Sequence, residues 1–278
     1  MNNSTTNGSL QQKYENLQKL IRDLGKVAVA FSGGVDSTFL LAAARHAPAE
    51  KLIALTVKQA YTQHWELDEA STFVKDLGVP HRIIEPEVDE RVMENPLNRC
   101  YLCKTGTFTL FRKVMDELEY DVLVDGTNVD DTGEHRPGMR AKKEHGVRSP
   151  LLEAGFSKVE IREMSRLLGI PDWDKPSNTC LITRIPYNTK VSVDDLRKIE
   201  DAEHYLMKQG FKQVRVRKHG DTARIEVDPH LIGKLAESEN INRIVPYLKS
   251  LGFTYISLDL EGYKTGSLDK AILNNSEK

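Results

Sequence analysis

The stretch Lys26 to Ser37 reads KVAVAFSGGVDS, and its reading decides the fold. KVAVAF is a continuous apolar run, the pattern of a strand covered on both faces in a parallel sheet. FSGGVDS (Phe31 to Ser37) then reads as a strand-to-helix turn. Two glycines let backbone N–H groups close around an anion, Ser32 and Ser37 add hydroxyls, and the helix beginning near Ser37 presents its positive end. The turn is a phosphate cradle formed by Ser32, Gly33, Gly34 and Ser37. It lacks the lysine of G-x-x-x-x-G-K-[ST] and does not follow G-x-G-x-x-G. A carboxylate, Asp36, stands where a lysine would be expected. An acid beside a phosphate is repulsive unless a divalent cation lies between them, so Asp36 is a candidate magnesium contact.

The flanking sequence supports a repeated β/α alternation. Upstream, Leu17, Leu20, Ile21 and Leu24 recur at helical spacing and stop at Gly25, behind a leader (1–12) expected to be disordered. Downstream, strands Leu52 to Val57, His81 to Ile84 and Asp121 to Asp125 alternate with helices Ser37 to Arg45, Leu67 to Leu77 and Thr105 to Leu118. That order predicts an α/β fold with a doubly wound parallel sheet and ligands at the carboxyl ends of its strands. A boundary is expected between Pro186 and Lys190, closing a nucleotide domain at 13–187. Beyond it, a helix from the Ser192 cap to Gly210, the hairpin FKQVRVRKHGDTARIEV, a helix within Leu231 to Leu251 and a strand at Tyr255 to Leu260 form a smaller α+β domain (191–270). This domain is expected to serve substrate binding or oligomerisation, and 271–278 to form a flexible tail.

Bulk composition excludes several classes. The 278 residues carry 39 Lys and Arg against 41 Asp and Glu, a net charge of −2, so no bulk argument favours nucleic acid or an anionic membrane. No run approaches the roughly 18 apolar residues of a membrane span, and the polar start MNNSTTNGSLQQKYENLQ has no signal-peptide core. A cytoplasmic protein is expected. Three cysteines are an odd number for a disulfide framework, which turns attention to metal or thiol chemistry.

Two of them form the C-x-x-C of NRCYLCK (Asn98 to Lys104), and the third is Cys180. A C-x-x-C turn with one distant thiolate can hold three irons of a [4Fe-4S] cube. Zinc wants a fourth ligand, and none of His81, His135 or His145 has the short paired spacing of zinc motifs. A thioredoxin-like pair would leave Cys180 out, and three free thiols are the plain alternative.

Other polar candidates carry weaker signals. Gly126, Asn128, Asp130 and Asp131 follow a strand end, where a loop can orient a nucleotide or metal or simply form a solvated turn. Arg136, Arg140 and Arg148 lie beyond. Arg184, four residues from Cys180, can neutralise a phosphate. Arg215 and Arg217 share one strand face, with Arg224 and Glu226 on the partner strand. They form either a basic patch fit for a mononucleotide phosphate or a solvated salt-bridge face. Glu203 is a candidate acid, base or metal contact, against the alternative of a solvated glutamate.

SGGVDS resembles the signature of the PP-loop ATP pyrophosphatases, which split ATP between the α and β phosphates. VDGTNVDD (Val124 to Asp131), RPGMRA (Arg136 to Ala141), RSPLLEAGFSKVEIREMSRLLGIP, CLITRIPY (Cys180 to Tyr187) and LDLEGYKTGSLD extend the likeness from about residue 14 to 270. Together they are similar to the LarE family, the sulfur-inserting enzymes of nickel-pincer nucleotide biosynthesis. The resemblance implies that MgATP adenylates a carboxylate of a pyridinium mononucleotide. Sulfur then displaces AMP to leave a thiocarboxylate. Some family members give up the sulfur of a cysteine matching Cys180 and keep dehydroalanine. Others carry two more cysteines, and for this chain that implies a [4Fe-4S] cluster on Cys100, Cys103 and Cys180 whose open iron binds hydrosulfide from a sulfide donor. With the residue readings above, Asp36, Cys180, Arg184 and Glu203 are the candidate catalytic groups, Ser32, Gly33, Gly34, Asp36, Ser37, Gly126, Asn128, Arg215 and Arg217 the candidate nucleotide or substrate contacts, and a homo-oligomer is expected. A cluster-dependent tRNA thiolase shares the loop and the cysteines but needs an RNA surface. An amidating synthetase needs ammonia delivery, and a non-enzymatic, zinc-stapled nucleotide sensor needs no turnover.

Overall fold

The computed structural model describes residues 3–47, 49–133, 137–176 and 178–264. The expected tail at 271–278, the end of the LDLEGYKTGSLD stretch, His135 and Arg136 lie outside them. The chain divides into two compact units, Met1–Val88 with Asn98–Asn178, and Asp89–Leu97 with Thr179–Lys278.

In chain order the first unit contains α1 (Asn3–Asp23), β1 (Lys26–Ala30), α2 (Val35–His46), β2 (Lys51–Val57), α3 (His64–Leu77) and β3 (His81–Ile84). A short α4 (Glu90–Met93) belongs to the second unit, after which the first resumes with α5 (Arg99–Leu118), β4 (Val122–Val124), α6 (Pro137–Glu144), α7 (Pro150–Glu153) and α8 (Lys158–Leu167). The four strands are parallel in the order β3-β2-β1-β4. This is the doubly wound sheet expected from the alternation. Its apolar run is explained by burial on both sides. Val27 and Val29 join one core with Leu17, Phe39, Phe156 and Met164, whereas Ala28 joins another with Leu55, Phe108 and Met115. The chain winds outward from β1 to β3 and then returns to the other side of β1, so the carboxyl ends of β1 and β4 flank a topological switch point.

The leader is not disordered from residue 3 onward. Helix α1 begins at Asn3, and Leu10, Tyr14, Leu17 and Ile21 form one buried stripe at helical spacing. Lys13 adds an ion pair to Glu160 at 2.7 Å.

The second unit contains α9 (Val193–Lys208), β5 (Val214–His219), β6 (Thr222–Val227), α10 (Ile232–Leu235), α11 (Ser238–Ser250) and β7 (Tyr255–Leu258). Ser192 caps α9 by accepting the Asp195 N–H at 3.1 Å, as its position predicts. Strands β5 and β6 form the expected hairpin, and β7 adds in parallel to β6. This unit begins earlier than Pro186. Buried Asn95 donates its side-chain amide to the carbonyls of Ile185 and Pro186 at 3.2 and 2.8 Å. The Asn188 and Val191 N–H groups return to Asn95 and Met93. Residues 89–97 and 179–191 therefore form one hydrogen-bonded layer, which moves the boundary back to Thr179.

Candidate functional site

Ser32, Gly33 and Gly34 form the turn between β1 and α2. Gly33 has φ +78°, and a Cβ there would sit 2.7 Å from the Ala70 Cβ, so only glycine fits. Ser37 Oγ donates to the Gly34 carbonyl at 3.0 Å, accepts the Ser32 N–H at 3.3 Å, and lies 3.2 Å from Ser32 Oγ. Gly34 is the N-cap and offers no side chain to the first amides of α2, leaving that helix end for an anion. From β4, Gly126 approaches so closely that a Cβ would meet the Ser37 nitrogen at 2.9 Å. The sequence-predicted Ser32, Gly33, Gly34, Asp36, Ser37, Gly126 and Asn128 thus gather at the switch point. Gly33→Ala is expected to destabilise the protein by about 1–2 kcal/mol through the left-handed φ alone. Thermal unfolding of Gly33→Ala beside Gly33→Ala with Ala70→Gly separates this strain from the added clash.

Asp36 follows the loop and is largely buried. Burial pushes its carboxyl above the usual range. Lys158 opposes this, Asp131 adds to it, Arg162 opposes it, and Asp130 adds again. Among the described residues its buried Oδ1 has no hydrogen-bond partner, and the same holds for Nδ2 of the fully buried Asn128. Asn128 Oδ1 accepts the Asp130 N–H at 3.0 Å, and Asp131 accepts the Asn128 N–H at 3.1 Å, shaping the turn after β4. A buried carboxylate oxygen left without a donor, with two more acids nearby, suits a hard divalent cation.

Behind this turn is a hub that sequence reasoning missed. The buried Asp125 carboxylate accepts Thr127 Oγ1 at 2.8 Å and Ser149 Oγ at 2.6 Å, and lies 3.2 Å from the buried ammonium of Lys142. Lys142 also donates to Ser149. The hub fixes the peptide that Gly126 presses against α2. An acid at the end of a strand is the only local hint of it, because Lys142 and Ser149 arrive from α6 and its following loop.

The C-x-x-C pair lies on the first turn of α5, not in a loop, because the helix begins at Arg99. Spacing of i, i+3 places the thiols of Cys100 and Cys103 on one helix face. Both residues are half-buried. Burial pushes the Cys103 thiol up, while Tyr61 opposes this by donating its hydroxyl to Sγ at 3.2 Å. Cys103 lies in the first unit and exposed Cys180 in the second, as the cap of the turn Leu181–Arg184. Among the described residues no group of three or more His, Cys, Asp or Glu side chains is placed to hold a metal.

In the second unit, the predicted arginines are not on an open surface. Arg184 is 1 % exposed and binds Glu203 through two bonds, Nε to Oε1 at 2.7 Å and Nη2 to Oε2 at 3.0 Å. Burial alone would push the Arg184 guanidinium down, but the charge and hydrogen bonds of Glu203 outweigh it and hold it above its usual value. Glu203 is equally buried and also accepts the Val216 N–H at 2.9 Å, so it is not a solvated glutamate. Arg217 donates to Glu226 at 2.8 Å and to the Thr183 carbonyl at 2.7 Å. Arg224 reaches the other Glu226 oxygen at 2.9 Å. Arg215 packs over the Tyr263 ring at 5.1 Å, and burial, with Arg184 second, holds its guanidinium below the usual value. The hairpin register pairs Arg215 with Glu226 and Arg217 with Arg224, which draws these charges together beneath Thr179 to Arg184.

The sequence is similar to those of known proteins. A model of the PP-loop domain matches residues 4–169. An uncharacterized protein of Synechocystis sp. is 37% identical, covering 95% of this chain and 99% of its own. An uncharacterized protein of Methanocaldococcus jannaschii is 33% identical over 92% and 95% of the two chains. Pyridinium-3,5-bisthiocarboxylic acid mononucleotide synthase of Lactiplantibacillus plantarum is 32% identical over 95% and 96%. With its phosphate loop, switch-point geometry and near full-length likeness to that synthase, the chain belongs to the PP-loop family and, within it, to the LarE family of sulfurtransferases.

Proposed function

We propose that this protein uses ATP to adenylate a carboxylate of a pyridinium mononucleotide, releases pyrophosphate, and then replaces AMP with sulfur to form a thiocarboxylate. The observation that carries this reading is the near end-to-end likeness to the Lactiplantibacillus plantarum synthase. The site chemistry supports it. A carboxylate is a poor electrophile, and adenylation supplies a leaving group. Ser32, Gly33, Gly34 and Ser37 hold the phosphates against the open end of α2, while Gly126 and Asn128 border the nucleotide from β4. Asp36 fits magnesium, which would neutralise phosphate charge when bound. The buried arginine face of Arg184, Arg215 and Arg217, steadied by Glu203, is our candidate for the substrate phosphate.

For the sulfur we propose a [4Fe-4S] cluster on Cys100, Cys103 and Cys180, which when bound would supply an iron free of protein ligands for hydrosulfide. The paired placement of Cys100 and Cys103 on one helix face supports this choice. A second reading is favoured by the exposure of Cys180. Its Sγ attacks the acyl-adenylate carbonyl, AMP departs, and loss of the Cα proton then breaks the Cβ–S bond, leaving the thiocarboxylate and dehydroalanine. We place the protein in the cytoplasm as a homo-oligomer, with a small molecule, not nucleic acid, as substrate. Among the described residues no helix is long and apolar enough to cross a membrane.

Protein purified without oxygen decides between the sulfur sources. Close to four irons with acid-labile sulfide, lost together with multiple turnover in Cys100→Ala and Cys103→Ala, is the expected result. Zinc or no metal, with loss of hydrogen sulfide mass from Cys180 after one turnover, selects the sacrificial reading instead. Absence of substrate-dependent pyrophosphate release overturns both.

A further inference from the structure

The hairpin arginines have an aromatic neighbour, Tyr263, which the turn after β7 brings back alongside β6. Within that turn the Asp259 N–H donates to the Ile225 carbonyl at 2.9 Å, the Glu261 N–H to Asp259 Oδ1 at 2.9 Å and the Gly262 N–H to the Asp259 carbonyl at 3.2 Å. Asp259 also pairs with Arg224 at 3.5 Å. Gly262 has φ +67°, and a Cβ there would sit 2.7 Å from the Val227 carbonyl oxygen, so the turn requires glycine. The next N–H, that of Tyr263, donates to the same carbonyl at 2.7 Å. The backbone that carries the ring is therefore tightly held. Arg215 lies over the ring at 5.1 Å from its centre, and Tyr263 is half-buried. The Arg184 guanidinium is within electrostatic reach of both Tyr263 and Cys180, so ring, arginines and thiol share one neighbourhood.

An arginine face attracts a phosphate but repels the positive ring of a pyridinium nucleotide. An aromatic ring set beside it does the opposite, because its electron-rich face attracts a flat cation. Arg215 covers one side of the phenol, and the partial exposure of Tyr263 leaves room for a second planar group on the other. We propose that Tyr263 is a specificity-determining residue that stacks on the pyridinium ring of the substrate and reads its positive charge. A phosphate bound among Arg184, Arg215 and Arg217 offsets their charge and leaves the phenol face to the ring nitrogen. A ring stacked there is also held in the neighbourhood of Cys180, which takes part under either sulfur source above. The proposal rests on the pyridinium mononucleotide substrate proposed above.

Titration calorimetry of nicotinic acid mononucleotide and of its 1,4-dihydropyridine form into the full-length protein tests it. The two probes share phosphate, ribose and carboxylate and differ in the charge of the ring. Wild type is expected to bind the pyridinium form about tenfold more tightly, the worth of a partly desolvated cation–π contact. Tyr263→Leu should reduce that ratio to less than about twofold by weakening the pyridinium form, and Tyr263→Phe should keep most of it. The wild-type complex should also show a phenol-to-pyridinium charge-transfer absorption that Tyr263→Leu lacks. Equal weakening of both probes in Tyr263→Leu would assign the ring to support of Arg215 alone. Unchanged affinities, or a wild type that binds both probes equally, would remove Tyr263 from ring recognition. A wild-type protein that binds neither probe would instead overturn the mononucleotide reading itself.

Discussion

If the proposed reaction holds, replacing Asp36 by asparagine is expected to slow pyrophosphate release by about 100-fold or more, while the unfolding temperature holds or rises. The two halves of this result have one cause. Asp36 Oδ1 is buried without a donor among the described residues, and burial holds the carboxyl above its ordinary range. The ionised form therefore costs stability in the folded state. For a group whose folded value is raised, the stability is fully present below the unfolded value and is lost as pH rises through the folded one. Asparagine escapes that loss, so the gap in unfolding temperature between Asp36→Asn and wild type should widen from about pH 4 to pH 7. On the proposed magnesium role, activity should move oppositely, because a neutral amide would not attract a divalent cation. Thermal scans across pH beside a pyrophosphate assay measure both. Wild-type turnover in Asp36→Asn would remove the metal role, and a gap that narrows as pH rises would contradict the raised carboxyl.

The second large effect lies in the other unit. Glu203→Ala leaves Arg184, buried and always charged, without its two-pronged partner, and should destabilise the unit by about 3–5 kcal/mol. In urea the midpoint falls by on the order of 2 M. Arg184→Met with Glu203→Leu fills the space without either charge and should recover most of that stability, since a buried ion pair gains little over well-packed apolar groups. A double variant as unstable as Glu203→Ala would show that hydrogen bonds such as that to Val216, and not the stranded charge, dominate. A Glu203→Ala midpoint equal to wild type would show that water reaches Arg184 freely.

What could be read from sequence was local. The loop announced itself because a buried strand, two glycines and a helix start lie within Lys26 to Ser37, and the hydrogen bonds between Ser32, Gly34 and Ser37 that shape the turn span a few residues. The start of α1 was hidden. Asn3 to Ser9 is polar, and the stripe of Leu10 and Tyr14 needs the distant α2 and α8 faces to explain it. The helix carrying Cys100 was hidden too, because Asn98 makes no side-chain cap to mark its start. Arg184 and Glu203 are nineteen residues apart, and nothing local distinguishes a buried pair from two solvated side chains. The same is true of the Lys142, Asp125 and Ser149 hub, assembled from three separate segments.

The nine residues Asp89 to Leu97 belong to the second unit although the first resumes after them. During synthesis this stretch leaves the ribosome long before residues 179–191, whose carbonyls and amides Asn95 and Met93 bond. The early segment must wait, unpaired, while about eighty residues of the first unit are made. The protein is thus sewn rather than strung. A fragment ended near Asn178 would carry an orphaned stitch, and a gene cut there would not yield two self-sufficient halves.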